Sequence, residues 1–201
     1  MEMTERPFEP GGYYHVGTRG NFGEPLFESP ELHEIYLKRY GIVARKYGWT
    51  TLDWCLLWNH THFLVKLSDY GLSSGMRELN TWFSRRLNLI HDQTGKGHAF
   101  RHRFSAEHAD SDAYLRNVCH YIPLNPVEAG QCEQPEDWHW GGFRATIGLE
   151  HPRPFHSPSE LLRLFDDQPT VARRRYRDFV HEWQVLNGRD PSSNDGVNAA
   201  T

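Results

Sequence analysis

The sequence predicts an α+β fold, a sandwich in which an antiparallel sheet carries helices on one face and leaves its other face open. Apolar patterning indicates the element order strand, helix, strand, strand, helix, strand, helix. Two of these strands follow each other through a tight connection, which is typical of antiparallel pairing. The chain has 201 residues, of which 38% are hydrophobic, and this is enough for one substantial domain with a short appendage.

The first predicted strand and helix lie near the start of the chain. Bulky residues alternate in GGYYHVGTRGN (residues 11–21), which indicates a strand that runs into a loop at Gly20-Asn21. Apolar residues then recur at helical spacing from Pro30 to Tyr47, with Ser29 available as the N-cap and Gly48 as the stop signal. We therefore expect a strand, a loop and a long helix in that order.

Two further strands and a second helix follow. WTTLDWCLLW (residues 49–58) is rich in β-formers, and HTHFLVKL (residues 60–67) continues after Asn59. We expect two strands here, joined by a tight connection near Trp58-Asn59. The second helix is predicted from Ser73 to about Asp92, because its apolar residues form one stripe.

The last predicted elements are a strand around residues 100–108 and a third helix that begins near Ser111-Asp112, whose side chains can cap its first amides. Glycine and proline accumulate after that helix, and a further helix is predicted from Thr170 to about Leu186. We therefore divide the chain into a main domain over residues 1–149 and a C-terminal linker with a short helical tail over residues 150–201, with a disordered end.

Composition argues against several classes of protein. No apolar run is long enough to span a membrane, and MEMTERPFEPGG at the N-terminus lacks the pattern of a signal peptide, so we expect a cytoplasmic protein. Three cysteines without paired spacing predict reduced thiols rather than disulfides or a zinc site. The formal net charge is −4, so a nucleic acid would have to meet local basic clusters such as Arg85-Arg86 or HAFRHRF (residues 98–104).

Two histidines stand one residue apart in WNHTHFLV (residues 58–65), inside an apolar run that is otherwise typical of a buried strand. Because strand side chains alternate, Thr61 and Phe63 share the face toward the helices, while His60 and His62 project together from the other face. Their backbones lie about 6.6 Å apart by the strand rise, a span that one metal ion can bridge. A single strand histidine is usually a surface residue or has a polar partner, and the pair makes a metal site an equal alternative.

The third predicted helix contributes a phenol and an amide. In NVCHYIPLNPVEAG (residues 117–130), Tyr121 and Asn125 are four residues apart and lie on one edge of the buried arc. If this edge borders the histidine face, two imidazoles and an amide oxygen can hold a divalent metal beside the phenol. This set suits phosphoryl transfer, because a cation can stabilise the phenolate of a group whose usual pKa is about 10. A lone helical tyrosine is otherwise an ordinary half-buried core residue.

Several ordered motifs together resemble the single-tyrosine HUH transposases, specifically the REP-associated tyrosine transposase-like group. The motifs span most of residues 13–147 and are YYHVGTRGN, NHTHFLV, GHAFRHRF, DSDAYLRNVCHYIPLNPVEAG and PEDWHWGGFRATIG. The resemblance implies a ferredoxin-like or RRM-like sandwich, which agrees with the element order. It also implies that His60 and His62 are the metal-binding pair, Tyr121 the nucleophile and Asn125 the polar metal ligand one helical turn later.

The activity implied by the resemblance is cleavage and rejoining of single-stranded DNA beside imperfect hairpins. The reaction would pass through a 5′-phosphotyrosine intermediate and use Mg²⁺ or Mn²⁺. The residues expected to contact the DNA are Arg19, Asn21, Arg101 and Arg103. Such a protein is expected to be prokaryotic, cytoplasmic and nucleoid-associated, and to act as a monomer or a homodimer.

Two residues depart from the family pattern. Thr61 replaces the bulky hydrophobe expected between the histidines. Pro123 follows Tyr121 by two residues and removes the helical hydrogen bond to the carbonyl of Cys119, at a cost of about 3 kcal/mol in a regular helix. We therefore expect a kink that changes the angle between Tyr121 and Asn125.

Two other classes of function stay open at this point. A domesticated or decayed relative would grip hairpin DNA or RNA without cutting it. An unrelated metal-dependent hydrolase would use His60, His62 and either His120 or His15 to activate water, and its activity would survive Tyr121→Phe.

Overall fold

The structure is a computed structural model that describes residues 8–69, 71–92 and 99–187. A four-stranded sheet lies at its centre in the order β2-β3-β1-β4, and all neighbouring strands are antiparallel. The strands are β1 (Tyr13–Arg19), β2 (Trp49–Leu57), β3 (His60–Leu67) and β4 (Ser105–His108). The helices are α1 (Pro30–Lys46), α2 (Leu72–Ile90), α3 (Asp112–Glu128), α4 (Phe143–Thr146), α5 (Ser159–Leu162) and α6 (Pro169–Asn187). The predicted α+β class is confirmed.

The largest boundary difference concerns the predicted strand around residues 100–108. The ladder with β1 begins only at Ser105, and Phe100 makes an isolated bridge to Gly20. Between them, the Arg103 carbonyl accepts a hydrogen bond from the Asn80 side chain of α2 at 2.8 Å. The backbone here therefore bends toward α2 before β4 starts.

The first face of the sheet carries α1 and α2, as predicted. Alternate strand residues such as Val16, Phe63 and Val65 are buried there against aromatic side chains of both helices. Tyr40 of α1 stacks on Phe63 with ring centroids 3.9 Å apart. Burial of this apolar surface stabilises the sandwich and leaves the alternate residues for the second face.

The second face is not left open, which is where the structure differs from the expected arrangement. Helix α3 packs on it, and Leu52, Leu57 and Leu64 are buried beneath this helix. Strand β2 is buried along almost its whole length. A strand that is apolar on both sides needs cover on both sides, so the continuous apolar run in β2 is the feature that predicts the second layer.

The C-terminal helices share this second core. The predicted helix over Thr170–Leu186 corresponds to α6, and its buried side chains include Ala172, Tyr176 and Val180. They pack in one cluster with β2 and α3. The predicted disordered end, after residue 187, lies outside the described residues. Within the described ranges, no helix combines the length and the apolar character needed to cross a membrane.

Candidate active site

His60 and His62 lie at the start of β3 on the face that α3 covers. His60 pairs with Arg19 of β1 in the strand register, and His62 pairs with Gly17. The two imidazole rings are 5.0 Å apart, centroid to centroid, and nearly perpendicular. The strand alternation thus brings both rings to one face, as the sequence predicts.

Each imidazole is held through its Nδ1 atom. The Nδ1–H of His60 donates to Oδ1 of Asn59 at 2.7 Å, and Nδ1 of His62 is 3.0 Å from Nε2 of His15. Both Nε2 atoms are left for other partners. Nε2 of His60 is 3.4 Å from Oδ1 of Asn125, while Nε2 of His62 is buried and has no hydrogen-bond partner.

Burial keeps these imidazoles neutral. It lowers the pKa of His60 to about 4 and lowers the pKa of His62 well below its usual value of 6.5. The nearby charge of Arg19 acts in the same direction on both groups. A neutral imidazole with a free Nε2 lone pair is the form that binds a metal ion.

Tyr121 and Asn125 reach the site from α3. The helix runs without interruption through Pro123 and Pro126 to Glu128. The Nδ2 atom of Asn125 donates to the Tyr121 carbonyl at 3.1 Å, which turns Oδ1 of the same amide toward His60. The two side chains therefore stay on one side of the helix despite the proline between them.

The carbonyl that Pro123 leaves without a helical partner is satisfied from outside the helix. Because proline has no N–H, the Cys119 carbonyl loses its regular donor. The hydroxyl of Tyr176 in α6 lies 3.0 Å from this carbonyl oxygen. The C-terminal helix thus compensates for the proline in the helix that carries Tyr121.

The ring of Tyr121 packs edge-on against two imidazoles. Its centroid is 5.3 Å from that of His62 and 5.6 Å from that of His15. Burial raises the pKa of the phenol, and the charges of Glu128 and Glu107 act in the same direction, whereas Asn125 and Arg19 lower it. The phenol is therefore protonated at neutral pH in the absence of an added cation.

The donor set fits a divalent cation. His60 donates through Nδ1 and so presents a lone pair at Nε2, which faces the lone pairs of Oδ1 of Asn125. These two acceptors face each other beside the unpartnered Nε2 of His62. A cation bound between them would be attracted by the lone pairs of all three atoms. Among the described residues, no group of three or more His, Cys, Asp or Glu side chains is arranged to hold a metal, so the amide oxygen is needed to complete this set.

The structure brings the predicted DNA-contact residues to different distances from the site. Arg19 is exposed opposite His60 at the end of β1, and Arg101 is tied to it by a backbone hydrogen bond of 2.9 Å from Arg101 N–H to the Arg19 carbonyl. Asn21 lies in the short 3₁₀ turn that follows β1. Arg103 is exposed, but its backbone is held by α2, which packs on the opposite face of the sheet.

Of the two further histidines considered for a hydrolase, His15 lies at the site and His120 does not. His120 points away from the pair and stacks on Trp183 of α6, with ring centroids 3.8 Å apart. His15 belongs to the site, although its place beside His62 was not predicted. The alternation of β1 puts His15 on the same face as the pair, but only the strand register shows that it reaches His62.

The site thus consists of two histidines on a four-stranded antiparallel sheet, which face a tyrosine and an amide on the covering helix α3. The chain belongs to the IS200-like transposase family, whose model matches residues 11–125. A solved structure of a REP-associated tyrosine transposase bound to a REP hairpin has the same fold, with a TM-score of 0.61 and 21% sequence identity. That similarity covers 78% of this chain and 91% of the other. No curated protein matches the chain.

Proposed function

We propose that this chain cleaves and rejoins single-stranded DNA, with Tyr121 as the nucleophile and Mg²⁺ or Mn²⁺ held by His60, His62 and Asn125. The convergence of these four side chains carries the proposal. His60 and Asn125 are 65 positions apart in the chain, yet Nε2 of one lies 3.4 Å from Oδ1 of the other. Membership of the IS200-like transposase family supports the same reaction class.

In the proposed reaction, Oη of Tyr121 attacks the scissile phosphorus, so that a bond from Oη to phosphorus forms and the bond from phosphorus to the 3′ oxygen breaks. The phenol proton ends on the leaving 3′-hydroxyl, and the 5′ end stays on Tyr121 as a 5′-phosphotyrosine. A second 3′-hydroxyl reverses the step and joins a new strand without a nucleotide cofactor. A bound metal ion would supply positive charge to the phosphate and the phenolate.

The substrate we infer is a DNA hairpin with an unpaired flanking segment. The similar solved structure is that of a transposase bound to a REP hairpin. In this chain, Arg19, Arg101 and Asn21 cluster at the end of β1 nearest His60. Phe22, in the same turn, is 90% exposed and has a positive φ of 51°, so it presents an aromatic face on which an unpaired base can stack.

An enzyme of this kind would act at the nucleoid in the cytoplasm of a prokaryote, as a monomer or as a homodimer. Light scattering with and without hairpin DNA distinguishes the two assemblies. The result matters for Tyr121, because in a homodimer its helix can serve the partner's metal site.

The experiment that tests the proposal is an adduct assay. The purified chain is incubated with a pool of single-stranded hairpin oligonucleotides and Mn²⁺, and the products are separated by denaturing electrophoresis. Tyr121→Phe and His60→Ala are compared with Tyr47→Phe, which removes a phenol at the end of α1, against the opposite face of the sheet. We expect a covalent protein–DNA adduct in the wild type and in Tyr47→Phe, and none in the other two variants.

Three other outcomes contradict the proposal in distinct ways. Cleavage that persists in Tyr121→Phe would point to a hydrolase in which the metal site activates water. Hairpin binding without cleavage in every variant, over a widened pool, would point to a binding module. An adduct that forms equally well in His60→Ala would remove the metal site from the mechanism.

A further inference from the structure

We propose that His15 is a positioning residue for the metal site: its imidazole accepts the Nδ1–H of His62 and thereby presents the Nε2 lone pair of His62 to the metal ion. This inference rests on the proposed metal-binding role of the histidine pair. It assigns His15 no contact with the metal or the DNA.

The sheet register brings the two rings together. His62 pairs with Gly17, and His15 precedes Gly17 by two residues on the same face of β1. An added Cβ at Gly17 would lie 3.8 Å from Nδ1 of His62 and 2.9 Å from the Ser105 side chain. The His62 ring leans across β1 beside Gly17 and stacks on the His15 ring, with centroids 5.1 Å apart and planes 26° apart.

The available donors and acceptors favour one arrangement of protons on His15 and His62. If His15 donated to Nδ1 of His62, the proton of His62 would sit on Nε2, a buried atom that makes no hydrogen bond in the structure, and an unpaired buried N–H is costly. If His62 donates instead, its Nε2 carries only a lone pair, which is what a metal requires. The 3.0 Å contact between Nδ1 of His62 and Nε2 of His15 therefore favours the tautomer in which His62 donates from Nδ1 and His15 accepts.

The surroundings of His15 favour its role as an acceptor. Accepting through Nε2 requires that the His15 proton lie on Nδ1. Glu107 of β4 is the register partner of His15, so its carboxylate stands on the same face of the sheet as a neighbouring hydrogen-bond acceptor. The hydroxyl of Tyr114 donates to the Glu107 carboxylate, which orders this acidic group. An ordered partner behind a ligating imidazole is the usual way in which proteins fix a metal ligand.

The test compares His15→Leu, which removes the acceptor, with His15→Gln, whose amide oxygen can replace it. His33→Leu is the matched control, because His33 is another buried imidazole but lies on α1, against the opposite face of the sheet. The first readout is the tautomer of His62 in metal-free protein, from nitrogen-15 NMR of labelled histidines, with the signal assigned by its loss in His62→Gln. The second is Mn²⁺ affinity without DNA, from electron paramagnetic resonance titration.

We expect the Nδ1–H tautomer of His62 in the wild type, in His15→Gln and in His33→Leu, and a mixture in His15→Leu. We expect Mn²⁺ affinity to fall about 10- to 100-fold in His15→Leu and to stay within a few-fold of wild type in His15→Gln. Unchanged tautomer and affinity in His15→Leu would overturn the inference, as would equal losses in His15→Leu and His15→Gln. Wild-type protein that fails to bind Mn²⁺ would instead overturn the metal site of the proposed function itself.

Discussion

Replacing Asp53 by asparagine is expected to stabilise the protein near neutral pH and to change how its stability depends on pH. Asp53 is fully buried in β2. Its Oδ1 accepts from the Trp54 N–H at 2.8 Å, and its Oδ2 lies 3.1 Å from the Tyr176 hydroxyl. That hydroxyl has one proton and two acceptors, because the Cys119 carbonyl lies 3.0 Å away. A protonated Asp53, or an asparagine, can donate to Tyr176 and leave the Tyr176 proton for Cys119.

The magnitude follows from the pKa of this carboxyl group. Burial raises the pKa of Asp53 from 3.8 to about 7, although the Trp54 N–H and the Tyr176 hydroxyl oppose the rise. Between these two values the folded protein binds more protons than the unfolded chain, so the free energy of unfolding falls as the pH rises through this window. The full cost of ionising Asp53, about 4 kcal/mol at 1.36 kcal/mol per pKa unit, is reached above pH 7.

The assay is urea denaturation of wild type and Asp53→Asn at several pH values from 4 to 8. The buried imidazoles have lowered pKa values, about 4 for His156 among them, so they raise stability with pH over the lower part of this range. That contribution is common to both proteins and cancels in the difference. We expect the variant to gain about 3 kcal/mol relative to wild type between pH 4 and pH 7. A difference in unfolding free energy that stays constant across this range would refute the reasoning.

Three further predictions concern α6, the DNA surface and the metal. Tyr176→Phe removes the donor of the Cys119 carbonyl beside the proline of α3, and urea denaturation is expected to show a loss of about 1–3 kcal/mol; an unchanged midpoint would contradict this compensation. Phe22→Ala is expected to weaken binding of single-stranded DNA by about 1–3 kcal/mol in an anisotropy titration, whereas Ile42→Ala, which removes an exposed side chain of α1, should leave binding unchanged. Chelation with EDTA is expected to abolish the adduct and to lower the thermal midpoint only by the stabilisation that the bound metal supplied, because Asn59 and His15 hold the histidine pair in the folded protein without a metal.

Local periodicity was sufficient to predict most of the elements and half of the site geometry. Alternation along β3 places His60 and His62 on one face whatever the strand pairs with. A spacing of four residues places Tyr121 and Asn125 on one side of a helix. Both statements concern neighbours within a single element, so they need no knowledge of the rest of the fold.

The remaining geometry depends on contacts between elements that are distant in the chain. The register of β1 against β3 sets His15 beside His62, and the packing of α3 on the second face of the sheet sets Asn125 against His60. The sequence shows that Pro123 frees the Cys119 carbonyl but not how that carbonyl is satisfied, since the hydroxyl that reaches it comes from Tyr176, 57 positions away from Cys119. The sequence alone therefore determined the elements and the face on which each site residue lies. The tertiary structure decided which of these faces meet, because periodicity within one element carries no information about its register or its distance from another.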